Sequence, residues 1–245
     1  MKISIVIQYF NRRNLLLNTL NSIQETSLDK KDIELIIIDD ASILEHQVND
    51  IFLLYPNLNI KLFSFLKEEK WWACPVIPIN KGISMATGDV IVLLCGECML
   101  IGDLLKDVHD RIKENDYLVY ATFALDQHSS NNFNLNNING TWYQHSLHNN
   151  RQLNFCSAIT KKDMLELGGF DERYAWGVDY GDDDFLLRVK RKGMNVISID
   201  TPLCFHQWHE KMLFKPSSNN ISDLQLYQKV LNEEVGNYKI KNSFI

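Results

Sequence analysis

Three consecutive carboxylates, Asp182, Asp183 and Asp184, follow the aromatic and glycine-rich run Trp176-Gly177-Val178-Asp179-Tyr180-Gly181 and precede Phe185. Residues 185–192 read as a helix, with Phe185, Leu186 and Val189 on one side and Gly193 placed to end it, so the aspartates fall in its first turn. The helix dipole favours an acidic residue there by about 0.3–1 kcal/mol, and one or two aspartates would serve that purpose. A third adds repulsion, which raises at least one pKa toward the range where an aspartate can work as a base.

Such a cluster needs a scaffold, and the rest of the chain supplies one. Ile3 to Ile7 reads as a buried strand, followed by a helix with Leu16, Leu20 and Ile23 at helical spacing. Ile33 to Ile38 repeats the pattern and ends in Asp39-Asp40, ahead of a helix with Val48, Ile51, Phe52 and Tyr55 on one face. Ile60 to Phe65 is a third strand; a helix with Ile83 and Ala86, closed by Gly88, leads to a fourth, Val90 to Leu94. Strands alternating with amphipathic helices predict an α/β fold with a mostly parallel central sheet flanked by helices. Ligands of such sheets sit at the carboxyl ends of the strands, where Gln8 to Arg12, Asp39-Asp40 and Cys95 to Cys98 fall.

A helix from about Asp103 to Lys113 and a strand at Tyr117 to Phe123 come next. Residues 126–150, crowded with Asn, His and Ser and without a period, read as a long surface loop that would cover the crevice as a lid. Thr160 and Asp163 cap a short helix ending at Gly168-Gly169, and Met194 to Ile199 is another strand. Ser222 and Gln225 form a capping-box pattern before a helix with Leu224, Tyr227 and Leu231, expected to pack on the sheet. No repeat or linker divides the chain, so residues 1–245 are expected to form one domain.

At 245 residues and 45% hydrophobic content the chain can bury one substantial core. A net charge of −6 with no basic cluster argues against a nucleic-acid partner. Five cysteines, an odd number, argue against a disulfide framework and for a cytoplasmic location. Cys95-Gly96-Glu97-Cys98 has redox or zinc spacing but lacks a second cysteine pair. No apolar run reaches the ~18 residues of a membrane span, which leaves a peripheral contact or a partner as the route to any membrane-linked substrate.

Taken together, these motifs resemble the nucleotide-sugar-dependent glycosyltransferases of the GT-A fold, specifically family-2-like enzymes that share a C-terminal motif with the β-1,4-galactosyltransferases. The resemblance covers nearly the whole chain. It implies a nucleotide-sugar-binding half over residues 1–123, a loop or lid over 124–150, and an acceptor and catalytic half over 151–245. Ile3 to Arg12 resembles the opening strand and nucleotide-contacting turn, which implies donor contacts from Gln8, Phe10, Asn11 and Arg12. Ile36-Ile37-Ile38-Asp39-Asp40-Ala41-Ser42 is similar to the second strand, whose second aspartate, here Asp40, holds uracil or ribose by accepting hydrogen bonds. Asn80-Lys81-Gly82-Ile83-Ser84-Met85-Ala86-Thr87-Gly88-Asp89 matches the helix before the metal-site strand, so Asn80 and Gly82 are expected beside the donor.

At the next station the family's Asp-x-Asp is replaced by Cys95-Gly96-Glu97-Cys98. The resemblance places Glu97 at the metal-side carboxylate and His206, then His209, as further ligands of Mn2+ or Mg2+. The most specific match follows Gly168-Gly169-Phe170-Asp171-Glu172. The galactosyltransferase run Trp-Gly-x-Gly-Gly-Glu-Asp-Asp-Asp puts Trp176 and Gly177 on the acceptor wall and Gly181 in place of the glutamate. It also makes Asp182 the catalytic base, Asp183 an acceptor contact beside it, and Arg188 the arginine seven positions beyond.

The implied reaction is transfer of galactose, N-acetylgalactosamine or glucose from a UDP-sugar to a hydroxyl of a glycan, glycolipid or protein, with inversion. Three rivals stand beside it. A retaining GT-A transferase shares the fold; a non-catalytic sugar- or nucleotide-binding module would explain the lost Asp-x-Asp; a phosphohydrolase would need carboxylates around two ions, and the sequence offers one such centre.

Overall fold

The computed structural model describes residues 1–177, 180–210, 223–232 and 238–245. The first half alternates as the apolar runs require: β1 (Ile3–Tyr9), α1 (Arg13–Gln24), β2 (Ile33–Asp39), the single turn α2 (Ile51–Leu54), β3 (Ile60–Ser64), α3 (Val76–Met85) and β4 (Val90–Cys95). Then come β5 (Cys98–Ile101), α4 (Leu104–Arg111), β6 (Asp116–Leu125), α5 (Gln127–Asn131), β7 (Gly140–Gln144) and β8 (Cys156–Thr160). The chain closes with α6 (Lys161–Leu167), α7 (Gly181–Arg191), β9 (Asn195–His206) and α8 (Asp223–Leu231).

The nine strands among the described residues join one sheet in the order β3-β2-β1-β4-β8-β6-β9-β5, with β7 on β6. The four strands from β3 to β4 are parallel, as expected. Beyond β4 the sheet is mixed: β8 runs antiparallel to both neighbours, β9 is parallel to β6, and β5 is antiparallel to β9. Parallel pairing needs a crossover long enough for a helix. Only Gly96 and Glu97 separate β4 from β5, and only the short α5 follows β6, so these strands pair otherwise.

Strand residues alternate between two apolar layers. Ile5, Ile37 and Leu94 meet Leu16 and Leu20 of α1 on one face, while Val6, Ile38 and Leu93 meet Ile83 of α3 and Phe185 of α7 on the other. The helix expected after Asp40 shrinks to one turn: Val48, Ile51 and Tyr55 are buried, but Phe52 is exposed. Pro56 follows at once and disfavours continuation. The segment 126–150, expected as an aperiodic loop, carries the short α5 and the strand β7. Thr141-Trp142-Tyr143-Gln144 are good strand formers; Trp142 packs 4.9 Å from Phe123, and Gln144 Nε2 donates to the Tyr120 carbonyl at 2.8 Å. β5 was too short to stand out from the turn before it. α8 lies against α7 rather than on the sheet, with Arg191 donating to the Val230 carbonyl at 2.9 Å and Tyr227 stacked 5.2 Å from Tyr180. Ser222 of the expected capping box lies outside the described residues.

Glu34 is fully buried in β2, near the end of the sheet opposite the strand carboxyl termini. Its carboxylate accepts from Ser4 Oγ at 2.5 Å, the Thr87 amide at 2.6 Å, Lys2 Nζ at 2.9 Å and Lys61 Nζ at 3.0 Å. Burial opposes its charge, but the hydrogen bonds from Ser4, Lys2 and Thr87 outweigh that and hold its pKa well below the usual carboxylate range. The lowered pKa means a stabilisation present above pH ~4.3 and lost as pH falls toward the folded value. Glu34→Gln should lower unfolding free energy by about 1–3 kcal/mol in urea at pH 7, with the gap to wild type narrowing below pH ~4.

Candidate active site

The three aspartates separate because a helix turns ~100° per residue, which sets positions i and i+2 on nearly opposite sides. Asp184 faces the core, fully buried, and its Oδ2 accepts from Arg188 Nε at 2.8 Å. Arg188 is buried too, and donates to the carbonyls of Leu167 at 3.2 Å and Gly169 at 2.9 Å. The arginine aligned with the acceptor motif is therefore a structural clamp between α7 and the end of α6. Asp182 consequently points the other way, into a pocket of about 300 Å³ lined by Cys74, Val76, Ile79, Leu93 and Asn154. Asp183 sits at the rim, its Oδ1 4.0 Å from Arg151 Nη2.

Asn154 is a site residue that no sequence pattern announced. With its amide nitrogen turned to the carboxylate, the orientation that satisfies both groups, it donates to each oxygen of Asp182 at 2.9 Å. Burial, then the neighbouring Asp183 charge, push the Asp182 pKa up to about 7, with Arg151 opposing. A carboxylate so placed is charged part of the time at neutral pH and basic enough to take a hydroxyl proton.

A second hollow of about 1000 Å³ adjoins the first and shares Gln8, Cys95, Arg151 and Phe155 with it. Arg12, Glu97, His206 and His209 line it. Glu97 is buried and ion-paired with Arg12 Nη1. Antiparallel pairing of β5 with β9 sets Cys98 opposite His206, which brings the imidazole beside Glu97. Burial lowers the His206 pKa against the pull of Glu97, which favours the neutral ring. The His206 and His209 rings are 5.2 Å apart. Among the described residues no three His, Cys, Asp or Glu side chains gather as a ready metal cluster. Glu97 and His206 are nonetheless donors of the right types on one wall, and Mg2+ or Mn2+ needs few protein ligands when phosphate oxygens complete its shell.

Asp40 lies in neither lining. It is buried past the end of β2, where its carboxylate accepts from Trp72 Nε1 at 2.7 Å and Lys70 Nζ at 2.7 Å. Lys70 Nζ also stands 3.8 Å over the Phe10 ring. Asn11, in the left-handed region at φ 52°, donates its backbone N–H to Ser42 Oγ at 2.9 Å and accepts from the Ile43 amide at 2.9 Å. Glu97, His206 and Asp182 thus share two connected hollows, while Asp40, Phe10 and Asn11 form an adjoining loop layer over β1 and β2.

Two expected donor contacts are placed elsewhere. Asn80 is fully buried; its amide accepts from the Phe170 N–H at 2.8 Å and donates to the Phe170 carbonyl at 2.8 Å and Glu172 Oε1 at 3.1 Å. Gly82 lets α3 lie on the sheet, since a Cβ there would stand 2.4 Å from Val6 Cγ1. Small residues in this helix serve packing, which a sequence pattern cannot tell from ligand access. Trp176 is 45% exposed and packs its ring 4.6 Å from Trp71, itself 49% exposed, while Gly177 is buried just behind. Ala73 and Cys74 amides donate to the Ala175 carbonyl at 2.7 and 3.1 Å, tying the two aromatic segments together. Gly181, where the motif has glutamate, is buried; a Cβ would lie 3.2 Å from Val76 Cγ1 and 3.5 Å from Cys74 Sγ.

This sheet, with its polar residues at the strand ends beside an acidic helix, is the architecture of GT-A glycosyltransferases. Staphylococcus aureus TarS 1–349 in complex with UDP-GlcNAc has the same fold at TM-score 0.68 and 16% identity, over 94% of this chain and 64% of that one. The mannosyltransferase PcManGT from Pyrobaculum calidifontis, in complex with GDP-Man and Mn2+, gives 0.59 at 16% identity, over 86% and 58%. Residues 4–164 match the model of glycosyl transferase family 2, and the chain belongs to that family. A curated relative is the poly(ribitol-phosphate) β-N-acetylglucosaminyltransferase TarP of Staphylococcus aureus, 29% identical over 115 residues. That match covers 47% of this chain and 34% of TarP, so the chain spans about a third of that relative's length in the match.

The opposed roles of Asp184 and Asp182 predict opposite stability effects. Arg188→Ala strands a buried carboxylate and should cost about 3–5 kcal/mol in denaturant unfolding. Asp182→Asn removes a charge that the fold disfavours and should unfold at an equal or higher denaturant concentration at pH 8.

Proposed function

We propose that the protein transfers a hexose or N-acetylhexosamine from a UDP-sugar to a hydroxyl of a glycan-type acceptor, with inversion at the anomeric carbon. The observation that carries this reading is the place of Asp182, a carboxylate hydrogen-bonded by Asn154 and lining a pocket that adjoins the larger strand-end cleft, where burial and Asp183 push its pKa up to about 7. Asp182 takes the acceptor hydroxyl proton as its oxygen attacks C1. The bond from C1 to the phosphate oxygen breaks, and UDP leaves with the electron pair. Asn154 fixes the carboxylate through both oxygens.

Family membership supports the reaction class, the UDP-GlcNAc complex of TarS supports a uridine donor, and the N-acetylglucosaminyltransferase TarP supports an N-acetylhexosamine as the group transferred. UDP-N-acetylglucosamine therefore joins UDP-galactose, UDP-N-acetylgalactosamine and UDP-glucose as donors to try. Gln8, Phe10, Asn11 and Arg12 border the nucleotide side, and Asp40 takes the base or ribose once Lys70 and Trp72 yield it. Glu97 and His206, with His209 near, would hold Mg2+ or Mn2+. A bound ion there neutralises diphosphate charge. Trp176, Gly177 and Asp183 border the acceptor, whose sugar ring can stack on the Trp71–Trp176 pair. The hydroxyl belongs to a glycan, glycolipid or protein in polysaccharide or glycoconjugate synthesis. Among the described residues no helix is long and apolar enough to cross a membrane. A lipid-linked acceptor would be met by peripheral contact.

Asp182→Asn should cut turnover ~10²–10⁴-fold in a UDP-release assay while UDP binding by calorimetry stays within about threefold. Normal turnover of that variant would refute the assignment. Because the base must be deprotonated, wild-type kcat/KM should climb about tenfold per pH unit below about 7 and level off above it. NMR of the product should show the inverted anomer.

A further inference from the structure

The two hollows meet at four side chains, Gln8, Cys95, Arg151 and Phe155. A nucleotide sugar with its nucleotide in the large cleft and its transferred ring beside Asp182 has to thread its C1–O–P linkage through that junction. Among the four, Arg151 alone carries a charge. It stands on the segment between β7 and β8, held by its backbone N–H to the Asn149 carbonyl at 2.7 Å, while its side chain is 55% exposed. Its contact to Asp183 is 4.0 Å, too long for a hydrogen bond. Arg12, the other arginine lining the larger hollow, is engaged by Glu97.

We propose that Arg151 is a diphosphate-binding residue, which grips the sugar-bearing phosphate of the donor and neutralises the charge that gathers there as the C1–O bond breaks. This rests on the transferase reading above and names the group that serves its leaving phosphate. A planar guanidinium suits the task because it can donate two parallel hydrogen bonds to one phosphate. Its place between the hollows also explains why a side chain near Asp183 lines the nucleotide cleft. The metal-side carboxylate cannot do this work, since an anion repels phosphate unless a cation intervenes.

The test is calorimetric binding of UDP, UMP and uridine to wild type, Arg151→Gln and Arg151→Lys, all in EDTA so that no ion contributes. Arg151→Gln should weaken UDP about 10- to 100-fold and leave uridine unchanged, and Arg151→Lys should recover part of the loss. Such an exposed side chain is replaceable without unfolding, which a thermal melt of each variant checks. Unchanged UDP affinity in Arg151→Gln, or an equal loss for uridine, overturns the assignment. If GDP binds in place of UDP with the same dependence on Arg151, the uridine-donor reading falls and the role of Arg151 stands. If wild type binds no nucleoside diphosphate in EDTA and none with Mn2+ added back, both fall.

Discussion

The buried pair between Asp184 and Arg188 sets the orientation on which the site depends. Its guanidinium holds the carbonyls of Leu167 and Gly169 at and just past the end of α6, so α7 cannot roll without breaking two polar contacts in the core. With Asp184 pinned inward, helical geometry leaves Asp182 facing the pocket and Asp183 at its rim. Three chemically identical residues thereby acquire three environments: a salt-bridged anchor, a pocket-lining carboxylate with a raised pKa and a half-buried rim carboxylate.

The sheet supplies the other half of the arrangement. Parallel β1, β2 and β4 end together, which delivers Gln8, Asp40 and Glu97 to one end of the molecule, and the long β9 carries His206 to the same place through its pairing with β5. Polar side chains at that end are held by one another: Glu97 by Arg12, Asp40 by Lys70 and Trp72. At the opposite end Glu34 does the analogous work, tying β1, β2, β3 and the approach to β4 together.

Much of this was legible in the residues. The β-branched runs of β1, β2 and β4 are buried on both faces, so they stand out as continuous apolar stretches, and the acidic first turn of α7 follows from helix electrostatics. Other parts were not. β7 hides among asparagines, because its strand character comes from only four residues and from a partner, β6, that lies some twenty positions away. Asn154 and Arg151 belong to no motif; their value arises from where the connection after β7 passes. Asn80 and Gly82 read as ligand-facing because small residues in a helix are used equally for close packing, and only the neighbours Phe170 and Val6 show which applies.

Gly181 links two positions that lie far apart in the chain. A Cβ on the first residue of α7 would lie 3.2 Å from Cγ1 of Val76, the first residue of α3, close enough that Val76 would have to give by a few tenths of an ångström. What position 181 can carry is therefore governed by the room left at position 76, so substitutions at the two sites are expected to be non-additive.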